Sequence, residues 1–186
     1  MAKYGARYIK FGAIASEADG ALPTYETAIG LEKLVKVTDS PTYAEGKLYA
    51  DDGLCEYASE FTENSIDVEI SELSNAIAKA IYGATEGADT NLVFGADDTA
   101  PYGGFGFISL KSVDNVKSFV GVFYPKVKAQ PQSEEFSTKG DSIAFTTGKI
   151  KFSGTAAKNG AWKIVSPVQT TLAAAKTWLD GMFTGT

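Results

Sequence analysis

Between Phe119 and Phe152 the chain reads as two β-strands joined by a polar crossing, and no other stretch narrows the possible folds as much. An apolar run ends in Phe123-Tyr124-Pro125-Lys126-Val127-Lys128, and Pro131 with Glu134-Glu135 marks the crossing. Thr138-Lys139-Gly140 then leads into an alternating segment from Asp141 to Phe152. Turn residues bounding runs of β-branched and aromatic residues are the ordinary signal of paired strands. Within the second strand Ile143 and Phe145 hold one parity and Ile150 and Phe152 the other, with Gly148 at the switch, as a β-bulge would require.

The same signals recur along the chain. Leu54 to Ile70 has the clearest alternation: Glu56 and Glu60 share one face, Cys55, Tyr57 and Phe61 the other. After Thr62-Glu63-Asn64-Ser65 the phase inverts, so that Ile66, Val68 and Ile70 oppose Asp67 and Glu69. A hairpin turn over those four residues accounts for the inversion and gives a ribbon with one acidic and one apolar face. Leu31 to Thr38 reads as a strand ended by Asp39-Ser40-Pro41, and Lys47 to Ala50 as a short strand closed by Asp51-Asp52-Gly53. Further strands are expected over 105–111, 117–128, 136–138, 142–153 and 162–165.

Helical spacing appears twice. Leu73, Ile77, Ala80 and Ile81 repeat near 3.6 residues, with Ser71 or Ser74 as cap and Gly83 as stop, which predicts a helix over 74–82. Leu172, Ala175, Leu179 and Met182 form a second stripe, with Gly181 as a stop. Residues 1–30 have neither period and read as an N-terminal arm, with an ordinary first strand as the alternative. Residues 84–104, rich in glycine, read as a long loop. The fold class is therefore mainly β with an α+β character, a β-sandwich or barrel with one packed α-helix. It forms a single domain over 1–186 and ends in a C-terminal helical segment over 168–186.

Composition removes several kinds of chemistry. The chain has no histidine, so Ser-His-Asp and Cys-His catalysis are impossible and a transition-metal site is disfavoured. Cys55 is the single cysteine, expected to be half-buried on a strand, and no internal disulfide can form. No apolar run approaches the roughly 20 residues of a membrane helix, and the first ten residues lack a secretory h-region, so a cytoplasmic origin is expected. The formal net charge is -6, without the basic footprint of a phosphate-gripping protein. It is also uneven. Residues 1–98 hold 18 acids and 7 bases, whereas residues 99–186 hold 5 acids and 10 bases. Opposite halves can attract head to tail between copies or pair within one subunit.

Three constellations bear on chemistry. Gly103-Gly104-Phe105-Gly106 lacks the Gly-Lys-Ser/Thr ending of a phosphate loop and leads into a strand, so its glycines read as a turn and a close backbone approach. The acid pairs Asp51-Asp52, Asp97-Asp98 and Glu134-Glu135 lie in turn-like sequence, which favours solvated loops over paired catalytic carboxylates. Asp97-Asp98 with Asp89 is the one place to look for a cation. With Arg7 the only arginine, the aromatic residues make a poor nucleic-acid platform. No catalytic, metal or cofactor residue is assigned.

A strand ending in Pro-Lys-Val, an acidic loop, a Thr-Lys-Gly turn and a long alternating strand resemble the major tail protein, or tail tube protein, of bacteriophages with long non-contractile tails (siphoviruses). The likeness extends to the aromatic N-terminus, the acidic segment 54–73 and the helix after it. It implies a structural virion protein, not an enzyme, that self-assembles into stacked hexameric rings and a tube that delivers DNA. The implied partners are further copies of the chain, a tape-measure protein within, and tail-tip and tail-terminator proteins at the ends. DNA would pass the lumen without specific binding and no membrane would be involved, with assembly in the host cytoplasm. Glu56, Glu60, Asp67 and Glu69 are candidates for an acidic lumen wall, a plain solvent-facing sheet being the alternative. Tyr4, Tyr8 and Phe11, and Leu92, Phe94 and Tyr102, are candidates for subunit contacts, as is the loop 129–135. An extracellular β-sandwich that binds a ligand or glycan is the main alternative, a hydrolase a third, and the tube of a contractile particle remains open.

Overall fold

The computed structural model describes residues 2–87, 89, 91–113, 116–133 and 146–185. The expected strand over 136–138, the start of that over 142–153 and the pair Glu134-Glu135 lie outside the described residues. The elements are β1 (Ala2–Ser16), β2 (Thr24–Tyr25), β3 (Ile29–Gly30), β4 (Leu34–Ala50), β5 (Gly53–Ile70), α1 (Asn75–Tyr82), β6 (Thr85–Glu86), β7 (Leu92–Val93), β8 (Tyr102–Val113), β9 (Val116–Pro131), β10 (Gly148–Gly154), β11 (Ile164–Val165) and α2 (Leu172–Thr184). The mainly β, α+β class read from the sequence is the class observed.

All strands but β6 and β7 join one antiparallel sheet in the order β2-β1-β8-β9-β10-β5-β4, with β3 also on β1 and β11 on β9. A short run ties the two sides of this sheet together. Ile29 pairs with Phe11, the Leu31 N–H donates to the Ile9 carbonyl at 3.2 Å, and Leu34 pairs with Ile70. The sheet therefore curls around a core of Ile9, Phe11, Ile66, Val68, Ile70, Phe105, Phe107, Val122, Tyr124, Ile150 and Phe152, with Ile77 and Ile81 of α1 packed into it. Ser74 caps α1 by accepting from the Ile77 N–H, and Gly83 ends it in the left-handed region at φ 73°, as the spacing predicts.

Strands β8 and β9 are buried on both faces, which is why they read as continuous apolar runs. Phe105, Phe107, Val122 and Tyr124 face the core, while Ile108 and Phe123 face a second cluster with Ala175, Leu179 and Phe183 of α2. Helix α2 can lie this close because the sheet beneath it carries glycine. A Cβ at Gly121 would overlap the Trp178 ring, and one at Gly106 would meet Leu179 Cδ1 at 2.5 Å. The Gly103-to-Gly106 run thus serves close approach, as expected, but it lies within β8 and makes no turn.

Several expectations are corrected. Residues 2–16 are no free arm: β1 pairs with β8 from Ala2–Ser112 to Ala13–Gly103, and Phe11 is a core residue stacked on Phe152 at 5.8 Å. Asp39-Ser40-Pro41 does not end a strand, because β4 runs through it and Pro41 pairs with Asn64. An edge strand tolerates a proline, whose missing N–H need not face a neighbour. No turn occurs at Thr62-Glu63-Asn64-Ser65 either. Thr42 pairs with Glu63 and Tyr43 with Phe61, so Thr62 is the extra residue of a β-bulge, and a bulge inverts the phase without reversing the chain. The reversal lies at Asp51-Asp52, both with positive φ. Part of the expected loop is the small β6–β7 pair. Gly148 begins β10, with no bulge there among the described residues. Finally, α2 runs past Gly181 to a left-handed cap at Gly185, which puts Phe183 rather than Met182 on the buried stripe.

Candidate assembly surface

Strand β4 closes one end of the sheet, and among the described residues no strand pairs with its outer edge, although β1 faces its first residues across a cleft. Its second half, with the first half of β5, extends beyond the core as a two-stranded overhang from Thr42–Glu63 to Ala50–Gly53. At about 3.4 Å per residue the overhang spans about 27 Å. Almost every residue along it is exposed, including Tyr43, Leu48, Tyr49, Leu54 and Tyr57, the last two at 55% and 50%. Cys55, expected half-buried, is exposed here too.

Cross-strand pairing fixes the two faces of the overhang. Tyr43, Tyr49, Leu54, Tyr57 and Phe61 share one; Glu56, Glu60 and Glu63 share the other, opposite Leu48, Ala44 and Thr42. The Thr62 bulge keeps Glu56 and Glu60 on the same face as Asp67 and Glu69, so the expected acidic grouping holds although the connection differs. The charge does not hold. Asp67 lies opposite Lys151, and Glu69 lies between Lys149 and Lys36. Cross-strand neighbours of opposite charge balance these two acids within their own sheet. On this face Glu56, Glu60 and Glu63 of the overhang have no cation directly opposite.

The overhang is rooted to the body by a small cluster. Phe61 stacks on Trp162 at 4.5 Å and 11°, and Tyr43 meets Phe61 edge-on at 6.0 Å. Lys163 pairs with Asp39, which shares its surroundings with Asn64 and Tyr124. Burial alone would raise the Asp39 pKa, but Lys163, Tyr124 and Asn64 outweigh it and hold the carboxyl below the usual carboxylate range. Burial, with Asp39 beside it, pushes the Tyr124 phenol up. Asp39, Tyr124 and Lys163 line one wall of a cleft of about 430 Å³ between the inner faces of β1, β8 and β9 and the start of β4. Sequence reading missed this cluster, since it draws on residues 39 to 163 and its only local sign is a charged residue in an otherwise turn-like tripeptide.

The other expected contact residues are scattered. Tyr4 is exposed at the rim of the cleft. Tyr8 turns inward onto α2: its OH donates to both Asp180 oxygens at 3.1 and 3.0 Å, Lys10 pairs with Asp180 at 2.7 Å, and the Lys176 ammonium sits 4.6 Å from its ring. Phe11 is 1% exposed, so it offers nothing to a second copy. Leu92 packs against the core, whereas Phe94 is exposed beside Tyr82. Tyr102 is exposed between Lys126 and Lys128, 5.2 and 5.4 Å from its ring. The Asp98 carboxylate accepts from the Gly95 N–H at 2.7 Å, and among the described residues no group of three acids or cysteines is placed to hold a metal. No family model matches the chain, and no curated protein matches it.

Proposed function

We propose that this chain is a structural subunit that assembles with copies of itself, as a tail tube protein does, into stacked hexameric rings enclosing a conduit for DNA. The observation that carries the reading is the overhang, with the open β4 edge beside it. A long edge strand and a projecting ribbon with four exposed large apolar side chains on one face, Tyr43, Tyr49, Leu54 and Tyr57, are aggregation hazards in a lone molecule. A neighbouring copy that pairs with the edge and covers the aromatic face removes both hazards. Glu56, Glu60 and Glu63 remain the best candidates for a surface that repels DNA, at close range only, because the screening length in physiological salt is about 8 Å. The resemblance supplies the ring number, the tape-measure protein and the end-capping proteins.

A variant in which a two-residue turn replaces residues 44–59 tests this directly by sedimentation. The body should fold with unchanged Tm and stay monomeric at concentrations where the full chain forms large species. Equal association of the two proteins would refute the role of the overhang. The cleft favours a second reading, a ligand-binding module, which would leave the full chain monomeric throughout.

A further inference from the structure

We propose that Asp39, Asn64, Tyr124, Trp162 and Lys163 form a clasp that fixes the overhang to the body, and that its opening lets the overhang swing about the Thr62 bulge when a second copy engages it. The purpose of this device rests on the assembly reading; its mechanics do not.

Three observations meet at one place. The first is mechanical. Thr62 interrupts the ladder between Glu63 and Phe61, where the strand pair leaves the core, and a bulge is a local gap in the hydrogen bonds that stiffen a ribbon. Core-facing residues lie on one side of it, from Asn64 to Ile70, and exposed ones on the other, from Gly53 to Glu60. A segment with few buried contacts beyond such a gap opens at low free energy.

The second observation is that the side chains bracing the gap come from one short segment. Trp162 stacks on Phe61, the residue before the bulge, and Lys163 pairs with Asp39, which lies opposite Ile66 beyond it. Two adjacent residues thus grip the ribbon on both sides of its weakest point. They precede β11, which pairs with β9 at Ile164–Phe123 and Val165–Val122, and Ser166 extends the join by donating its N–H to the Gly121 carbonyl at 2.9 Å.

The third is that the clasp is incompletely satisfied as it stands. Asp39 Oδ1, both amide atoms of Asn64 and the Tyr124 OH are buried and, among the described residues, lack a partner in hydrogen-bond geometry, although Tyr124 and Asn64 are near enough to influence the Asp39 carboxyl. Asn64 and Tyr124 are each 1% exposed. Buried polar atoms clustered in this way leave desolvation unrepaid, which makes the closed arrangement easier to exchange for another. Glycine opposite Asn64, at position 154, leaves room around that side chain: a Cβ there would come no closer than 3.4 Å.

Amide exchange followed by mass spectrometry on the dilute protein, below its association threshold, tests the clasp. In Lys163→Met and, separately, Asp39→Asn, exchange over residues 43–60 should quicken by roughly tenfold, while β8 and β9 keep their protection. The exchanged pair Asp39→Lys with Lys163→Asp should recover much of the loss. In a Trp178→Phe background, Trp162 is the only tryptophan, and its emission should shift to the red in both single variants. Unchanged exchange and emission in both variants would overturn the clasp, as would a uniform rise over the whole chain. Failure of the wild-type chain to associate would instead defeat the assembly reading and leave these exchange results standing.

Discussion

At the residue scale, packing and charge place separate demands on single positions. Gly121 exists for Trp178: with the ring resting where a Cβ would go, Gly121→Ala forces α2 off the sheet, an overpacking penalty of about 1–3 kcal/mol. Leu179→Ala removes the largest fully buried side chain of α2 and should cost about 2–5 kcal/mol. Urea unfolding should rank both below the wild type, whereas Tyr49→Ala on the overhang should leave the midpoint within error. Asp39 carries a pH dependence. Its carboxyl is depressed in the folded chain, so the stabilisation from Lys163 is complete above its ordinary value of 3.8 and is lost as pH falls through the lower folded value. The groups facing it are Lys163, Tyr124 and Asn64, with Lys36 and Lys111 lining the same cleft. Trp162 emission in the Trp178→Phe background should therefore be flat from pH 8 to about 4 and shift to the red below that. In the Asp39→Asn variant the shift should be present at every pH. A transition near neutrality would contradict this.

At the scale of elements, the Thr62 bulge interrupts the ladder where the overhang leaves the core. Deleting Thr62 removes the extra residue and makes the ladder regular from Glu56 to Glu69, with Tyr57 and Phe61 still on their present face because Phe61 already alternates with Glu63. The expected outcome is a chain that keeps its Tm within a few degrees and keeps the Phe61–Trp162 stack, while amide exchange over residues 43–60 slows because the gap in the ladder is gone. Amide exchange beside Trp162 emission in the Trp178→Phe background reads both effects, and an exchange rate that does not fall would contradict the role given to the bulge. Helix α1 and the cores of β8 and β9 were legible in the sequence because their signals are local: a serine cap, a left-handed glycine, an unbroken apolar run. The inversion at 62–65 was equally visible, but turn and bulge leave the same trace in parity, and only the partner strand separates them. Pro41 misled because proline forbids a central strand but not an edge, and edge position is a property of the whole sheet. Residues 2–16 looked irregular because β1 contains two register shifts against β8 and left-handed backbone at Gly5 and Tyr8. The acidic face could be read from β5 alone, but the lysines that balance half of it lie 80 residues later, in β10.

At the scale of the whole molecule, a closed core coexists with an open edge. The curled sheet, α1 and α2 bury what a stable domain needs, yet β4 and the overhang present backbone and aromatic surface with no use inside one copy. The uneven charge of the chain is largely internal: Lys126 meets Glu17 at 2.7 Å, Lys163 meets Asp39, and Lys149 and Lys151 flank Glu69 and Asp67. Glu56, Glu60 and Glu63 of the overhang have no cation directly opposite, so salt should relieve repulsion between copies and association should hold or strengthen slightly as salt rises, depending mainly on apolar and backbone contacts. Electron microscopy of the purified full-length chain over a rising concentration series tests the central claim most directly. The account predicts rings or hollow filaments of constant diameter above a threshold concentration; particles that remain single at every concentration would contradict it.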